Sequence, residues 1–259
     1  MDCGAEKIIP NASDVAFTVR SYEAGIANHV TLPTLCNYMQ EAAGISAARL
    51  GWGIQTLQAE GITWMLSRLR VNVARYMPWG KTIMVRTWPS GVKGRLIAKR
   101  CFLGLDEKGA ELFRASSEWL YVDMAAQKIA KLPETFADLV PPETPDFELP
   151  DIGGKFAHLP SVDGSSEILT RHSDLDFNDH VNNVHYVEWM LESVKCEIER
   201  VKCGVGDVDI VFRQAAKAGE ALVSEFCADG EKTLHAIRRR SDGAILATAA
   251  IVPLKEAGA

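Results

Sequence analysis

Apolar residues recur at spacings of three and four in two stretches of the chain, and this period predicts an amphipathic helix in each. The positions are Leu32, Leu35, Met39 and Ala42 in the first stretch and Val181, Val184, Val187, Leu191 and Val194 in the second. Thr31 and Asn182 stand at the two predicted helix starts, and both residue types are favoured N-caps. Pro33 falls in the first turn, where its missing N–H costs little.

The segments that follow each helix alternate between apolar and polar residues or are apolar for short lengths. Turn sequences that contain glycine separate them, among them LDEKGAE, ADGEKT and RRSDGA. Short strands joined by such turns predict hairpins, and hairpins predict an antiparallel sheet. A long helix packed on such a sheet is an α+β arrangement.

The two halves of the chain form an internal repeat. RSYEAGIANHVTLPTLCNYMQEA, from Arg20, aligns without a gap with RHSDLDFNDHVNNVHYVEWMLES, from Arg171, at a constant offset of 151 residues. Later blocks starting at Val71 and Ile210, and at Gly109 and Gly243, also align. We therefore expect two similar units whose sheets pair to imitate a dimer.

A proline-rich stretch separates the two halves. Its prolines are Pro141, Pro142, Pro145, Pro150 and Pro160. Because proline interrupts both helices and strands, this stretch is interpreted as a linker. We predict an N-terminal domain at residues 10–138, a linker at 139–163 and a C-terminal domain at 164–256.

Polar residues occupy alternate positions just before the second helix. We interpret this stretch as an extended strand, in which they share one face and the apolar residues between them point to the core. The polar residues are His172, Asp174, Asp176 and Asn178, followed by His180, and the apolar ones are Leu175 and Phe177. The positive end of the following helix would favour a carboxylate or a developing oxyanion beside this row.

The repeat separates structural from functional candidates within the polar row. Gly25 and Ala27 stand in the first half where the second half has Asp176 and Asn178, so the shared scaffold does not require those polar groups. Asp174 has a counterpart in Glu23, and we predict a structural ion pair with an arginine for it. The candidate catalytic residues are Asp176, Asn178 and His180. A metal site formed by His172, Asp174, Asp176 and His180 is a less favoured alternative.

Composition and charge narrow the classes of function. The 259-residue chain has a formal net charge of −6, which argues against nucleic acid as a partner. Its six cysteines are scattered without C-x-x-C or zinc-ligand spacing. The amino-terminal sequence lacks the pattern of a secretory signal, and the longest apolar stretch, near residues 244–254, is too short to span a bilayer. We expect a cytoplasmic protein with reduced thiols and no membrane insertion.

The motifs resemble those of the acyl-acyl carrier protein (acyl-ACP) thioesterases. The similarity includes SDLDFNDHVNNVHYVEWMLE, VRSYEAG, NYMQEAA, WMLSRLRVNVARYMPWG and RASSEWLYVD, and it extends from about Phe17 to Leu254. The resemblance implies two tandem hot-dog domains, each a long helix packed on a curved antiparallel sheet, that form an internal pseudo-dimer. Because plant members carry a transit peptide and this sequence shows none, the resemblance is to a bacterial-type member.

The resemblance also implies a function, and it implies different roles for the two domains. Family members hydrolyse the thioester of fatty acyl-ACP without a cofactor or metal, which ends chain elongation in fatty acid biosynthesis. Acyl carrier protein is the implied partner. The N-terminal domain of the family holds the acyl chain and the C-terminal domain carries the catalytic Asp, Asn and His. These fall on Asp176, Asn178 and His180.

One stretch departs from the family pattern. Members commonly have a Glu, in some followed by a Cys, on the strand after the second helix, where this chain has Ala215 and Ala216. A cysteine nucleophile at that position is therefore excluded. Gln214 and Glu220 are the candidate replacements for the missing Glu.

Several alternatives stay open at this point. An acyl-CoA thioesterase fits the same residues, and a catalytically decayed acyl-binding protein would explain the missing Glu. A hot-dog dehydratase is disfavoured because its motif, Asp-x-Asn-Pro-x-His, is one residue longer. Chain-length preference would depend on bulky residues such as Trp52, Trp64 and Met65, which core packing explains equally well. A homodimer is also left open.

Overall fold

The computed structural model describes residues 9–147, 149–194 and 204–254. Within these ranges, eleven strands form one antiparallel sheet, together with three α-helices. The elements are β1 (Ser13–Thr18), α1 (Leu32–Arg49), α2 (Ile54–Ala59), β2 (Ile62–Val73), β3 (Thr82–Lys93), β4 (Ile97–Leu105), β5 (Glu111–Asp123), β6 (Lys128–Ile129), β7 (Gly164–Leu169), α3 (Asn183–Ser193), β8 (Val205–Phe212), β9 (Ala221–Asp229), β10 (Lys232–Arg239) and β11 (Ile245–Pro253).

The strand order shows the internal repeat. It is β1-β3-β4-β5-β2-β8-β11-β10-β9-β7, with the short β6 paired to β5. The second half therefore repeats the first in reverse, and the halves join where β2 pairs antiparallel with β8. Both predictions, an α+β fold and two units whose sheets pair like a dimer, are confirmed.

The two long helices begin where the sequence predicts. The Thr31 hydroxyl accepts a hydrogen bond from the Thr34 N–H at 3.3 Å, and the Asn182 side chain accepts one from the Val184 N–H at 3.1 Å. Helices α1 and α3 contact each other, and one hydrophobic cluster combines their buried faces with strands from both halves. This packing holds the N-terminus of α3, which borders the candidate site described below, against the first half of the chain.

The stretch between the halves packs against the sheet without forming a strand or α-helix in its described residues. The Gly154 carbonyl accepts a hydrogen bond from the buried Thr248 hydroxyl at 2.7 Å. Apolar residues of the stretch cover a small cluster on β9 to β11. The domain boundaries at residues 138 and 164 stay a prediction, because one continuous sheet joins the halves.

Two further expectations were reduced cysteines and no membrane insertion. Cys36, Cys101 and Cys227 are buried and form no disulfide, while Cys3, Cys196 and Cys203 lie outside the described residues. Among the helices of the described ranges, none combines the length and apolar character needed to cross a membrane.

A buried histidine makes the stability of the fold depend on pH. His235 on β10 is fully buried, and its Nε2 lies 2.8 Å from the Thr233 hydroxyl. Its Nδ1 has no hydrogen-bond partner among the described residues. Burial lowers the pKa of His235 from 6.5 to about 4, because the interior disfavours the charged imidazolium.

We expect His235→Leu to make the free energy of unfolding less dependent on pH between pH 7 and pH 5. Between pH 6.5 and about 4 the unfolded chain binds a proton at this position that the native protein does not, so stability is lost as pH falls through this window. The variant should reduce the fall in unfolding free energy between pH 7 and pH 5 by about 2 kcal/mol. Urea titrations at both pH values measure this, with His158→Gln, which removes an exposed imidazole, as the control. An undiminished fall in His235→Leu would contradict the assignment.

Candidate active site

The polar row before α3 is not an extended strand, so that interpretation was wrong. His172–Asp174 forms a single 3-10 turn. A tight turn then spans Asp176 to Asp179, closed by a hydrogen bond of 3.1 Å from the Asp179 N–H to the Asp176 carbonyl. Phe177, which we predicted to face the core, lies on this turn and is 73% exposed. Asp and Asn favour such turns because their side chains bond nearby backbone groups.

The same turn is present in the first half without the polar side chains. The Gly25 N–H donates to the His29 carbonyl at 2.9 Å, and the Asp176 N–H donates to the His180 carbonyl at 2.7 Å. Asn28 and Asp179 occupy equivalent left-handed positions, with φ of 59° and 60°. The backbone of the turn therefore forms with either set of side chains, which leaves the polar groups of the second copy free for another role.

The second copy of the turn holds the three predicted catalytic residues together. The Asp176 Oδ1 accepts a hydrogen bond from the Asn178 N–H at 2.8 Å. The Asn178 Oδ1 accepts one from the Gln58 Nε2 at 3.0 Å. Asp176, Asn178 and His180 are all half-buried and line one cavity. Their catalytic role stays a prediction.

Asp174 has the structural role that its counterpart Glu23 suggested. Its carboxylate accepts hydrogen bonds from the Arg171 N–H at 2.8 Å and from the Arg171 guanidinium at 3.1 Å. Burial acts to raise the pKa of Asp174, but the hydrogen bonds from Arg171 outweigh it and hold that pKa below its usual value. The predicted ion pair is confirmed.

The alternative metal site finds no support in these positions. His172 is exposed on the 3-10 turn, and the Asp174 carboxylate is occupied by Arg171. Across the described ranges, no three His, Cys, Asp or Glu side chains are grouped so that they could hold a metal ion.

The N-terminus of α3 borders the cavity. Asn182 and Asn183, the cap and first residue of the helix, are among the lining residues. Gln40 on α1 donates to the Asn182 Oδ1 at 3.2 Å, and the Val181 N–H donates to the Ala216 carbonyl at 2.9 Å. A helix N-terminus carries partial positive charge, so this arrangement can stabilise negative charge that develops on a bound group.

Ala215 and Ala216 stand where family members have Glu and Cys, and the two positions differ in their access to the cavity. Ala216 is fully buried, and its N–H donates to the Tyr186 hydroxyl at 2.9 Å. Burial raises the pKa of Tyr186 to about 12, so this hydroxyl stays neutral. Ala215 and Gln214 line the cavity.

Glu220 is not placed to replace the missing Glu. Its carboxylate accepts a hydrogen bond from the Arg239 Nε at 2.9 Å, and it is not among the described residues that line the cavity. Asp176 is the carboxylate from the second half that does line it. Among the described residues of the second half, Asp176 is therefore the candidate carboxylate for activating water in this cavity.

The cavity has a volume of about 1170 Å³, and the first half supplies most of its wall. Ala43 and Ala47 on α1, with Trp119 on β5, form part of the apolar lining. The three bulky residues that we associated with chain length, Trp52, Trp64 and Met65, all border it. The two tryptophans also pack edge-on against Phe136, so they contribute to core packing as well as to the shape of the wall.

Sequence reasoning missed the first-half residues that reach the second-half turn. Gln58 lies 120 positions from Asn178, and Gln40 lies 142 positions from Asn182. A glutamine on a helix has no local feature that indicates such a contact. The one available signal was the expectation that the halves pair like a dimer, which brings α1 and α2 close to the start of α3.

The sequence matches two described family domains. They are the acyl-ACP thioesterase N-terminal domain at residues 10–140 and the acyl-ACP thioesterase C-terminal domain at residues 158–252. A chloroplastic palmitoyl-acyl carrier protein thioesterase of Gossypium hirsutum is 31% identical over 194 residues, which are 70% of this chain and 47% of that protein. The chain spans about half the length of the curated relatives it matches.

Solved structures agree in fold. The 12:0-ACP thioesterase from Umbellularia californica matches with a TM-score of 0.80 at 25% identity, over 95% of this chain and 98% of that one. An acyl-ACP thioesterase from Bacteroides thetaiotaomicron matches with a TM-score of 0.81 at 22% identity, over 93% and 97%, and supports the fold alone. The two family domains together cover most of the sequence. The chain therefore belongs to the acyl-ACP thioesterase family.

Proposed function

We propose that this protein hydrolyses the thioester between a fatty acyl chain and acyl carrier protein, releasing the free fatty acid in the cytoplasm and ending chain elongation. The observation that carries this proposal is the position of Asp176, Asn178 and His180 on the wall of a large cavity lined mostly by the first half. In this division, residues 10–138 hold the acyl chain and residues 164–256 supply the reacting groups.

Hydrolysis of a thioester needs a nucleophile, a path for its proton and stabilisation of the tetrahedral oxyanion. Asp176 is the essential carboxylate, either as the base that activates water or as the group that attacks the carbonyl carbon. His180 follows at the base of the turn. If Asp176 activates water, His180 passes the proton taken from that water to the departing thiolate. If Asp176 attacks, His180 protonates the thiolate as the C–S bond breaks, and water then hydrolyses the anhydride on Asp176 and restores both side chains. The N-terminus of α3 lies beside both and stabilises the oxyanion.

Asn178 orients the attacking water or the thioester carbonyl. Because its Oδ1 accepts the hydrogen bond from Gln58, its Nδ2 is the group that remains to donate. Gln58 thereby fixes which end of the amide faces the substrate. Activity in the second half would then depend on a residue of the first.

Product release from two classes of thioester tests the proposed function. Free thiol and free fatty acid are measured for acyl carrier protein thioesters over a series of chain lengths, with the matching CoA thioesters in parallel. We expect turnover on the carrier thioesters. Activity on CoA esters alone would overturn the proposed substrate, and binding of acyl chains without any hydrolysis would make the protein an acyl-binding protein.

We expect Gln58→Ala to lower turnover by roughly 2–10-fold, because a neutral hydrogen bond that orients Asn178 is lost. The effect should fall on kcat rather than KM, since Gln58 positions Asn178 and touches no reacting atom. Thr56→Ala, which removes an exposed side chain from the same short helix, is the matched control. Equal kcat values for Gln58→Ala and the wild type would remove Gln58 from the mechanism.

A further inference from the structure

Arg100 places a cation on the wall of the cavity. It lies on β4 and is among the lining residues. Its Nη1 donates hydrogen bonds to the Ser46 hydroxyl at 3.0 Å and to the Thr87 hydroxyl at 3.2 Å. Both hydroxyl-bearing residues are fully buried, on α1 and β3. Two neutral hydroxyl groups therefore hold the guanidinium in a fixed orientation.

No carboxylate in the described part of the chain pairs with this guanidinium. Arg68, Arg114 and Arg238, on β2, β5 and β10 of the same sheet, each pair with an Asp or Glu. Among the described residues, the Arg100 guanidinium forms no ion pair, and its hydrogen-bond partners, Ser46 and Thr87, are both reached through Nη1. Burial lowers the pKa of Arg100 to about 10, so the side chain is still a cation at neutral pH. A desolvated cation is costly unless it meets an acceptor.

Arg100 lies toward the distal part of the cavity. Gln40, which contacts the start of α3, precedes Ser46 by six residues on α1. That separation corresponds to roughly 9 Å along the helix axis. A chain whose thioester sits at Asp176 would therefore pass Arg100 several bonds beyond the carbonyl.

We infer that Arg100 binds an oxygen acceptor on the distal part of the acyl chain, a carboxylate or a hydroxyl, so that oxygenated acyl thioesters are preferred over methyl-terminated ones. This inference rests on the proposed function. Nε and Nη2 of Arg100 supply the donors, and Ser46 and Thr87 hold them toward the chain. The remaining apolar wall accommodates the methylene groups on either side.

Equilibrium binding tests the inference without requiring turnover. The probes are S-alkyl pantetheine thioethers of matched lengths that end in a methyl, a hydroxyl or a carboxylate group, measured by calorimetry on the full chain. We expect one of the oxygenated series to bind on the order of tenfold or more tightly than the methyl series at its best length. Arg100→Met should abolish this preference, and Ser46→Ala with Thr87→Val should weaken it.

The controls separate this inference from the proposed function. Arg240→Met removes an exposed arginine that pairs with Glu167 and should leave the preference unchanged, while thermal denaturation confirms that each variant is folded. Equal or tighter binding of the methyl series at every length would overturn the role of Arg100 alone. Retention of the preference in Arg100→Met would overturn that role as well. A folded wild-type protein that binds none of the thioethers would instead overturn the proposed acyl cavity.

Discussion

Asp176→Asn is expected to lower kcat on acyl carrier protein thioesters by roughly 10²–10⁴-fold, the range for loss of a general base. An asparagine keeps the shape of the side chain and can still accept the hydrogen bond from the Asn178 N–H, so the turn should persist. What is lost is the negative charge, which both proposed roles of Asp176 require. Single-turnover release of fatty acid measures the chemical step directly.

A matched control lies three residues away on the same turn. Asp179→Asn removes an equal charge from an exposed position. The variant should fold well, because the equivalent position of the first half is already an asparagine, Asn28, at the same left-handed φ. We expect nearly wild-type turnover. Equal losses in Asp176→Asn and Asp179→Asn would mean that the charge of the turn matters and not the placement of one carboxylate.

The scaffold was predictable because its signals are periodic and occur twice. Helix starts at Thr31 and Asn182 follow from cap chemistry and apolar spacing, and the repeat implied sheets that pair. The turn at 176–179 was misread because alternation of polar residues is also what a strand shows. Its first-half counterpart contains Gly25 and Asn28, both common in turns, and this comparison held the information needed to recognise it.

The site was only half predictable for a different reason. Asp176, Asn178 and His180 are close in sequence, so one motif locates them. Gln58 contacts Asn178 only because the halves pair, so its position depends on the register of β2 against β8. Arg100 lines the cavity from β4, and no local motif marks it. Glu220 was a reasonable candidate by sequence distance, but Arg239 holds its carboxylate in an ion pair. Nearness in sequence did not imply nearness to the cavity.

The junction of the two halves is centred on one pair of opposite charges. In the alignment of the repeats Arg70 corresponds to Asp209, and the structure pairs these two residues across the β2–β8 ladder. A true dimer would place two copies of the same residue there, and like charges directly opposite each other are destabilising. The duplicated chain has an arginine on one side and an aspartate on the other, which favours pairing between the halves over pairing of either half with itself.

We expect Asp209→Ala to lower the unfolding free energy by about 3 kcal/mol, the lower end for breaking a buried pair. Asp209 is fully buried and accepts two hydrogen bonds from Arg68, at 2.8 and 2.6 Å, with Arg70 Nε 3.7 Å away. These hydrogen bonds raise the pKa of Arg68. Alanine leaves both guanidinium groups at the junction without this carboxylate, although Arg68 keeps the more exposed Asp151.

Three further variants separate the burial of unpaired charge from the loss of one hydrogen bond. Asp207→Ala removes an aspartate on the same strand that pairs with the neutral Asn72, and it should cost only about 1 kcal/mol. Asp209→Leu combined with Arg68→Met should be more stable than Asp209→Leu alone. The double variant removes the Arg68 guanidinium, which Asp209→Leu leaves without its buried carboxylate partner. Urea unfolding curves give the free energy of unfolding of each variant, including Asp209→Ala. If Asp209→Ala proved no more costly than Asp207→Ala, the charge pair at the centre of the junction would not be what holds the halves in register.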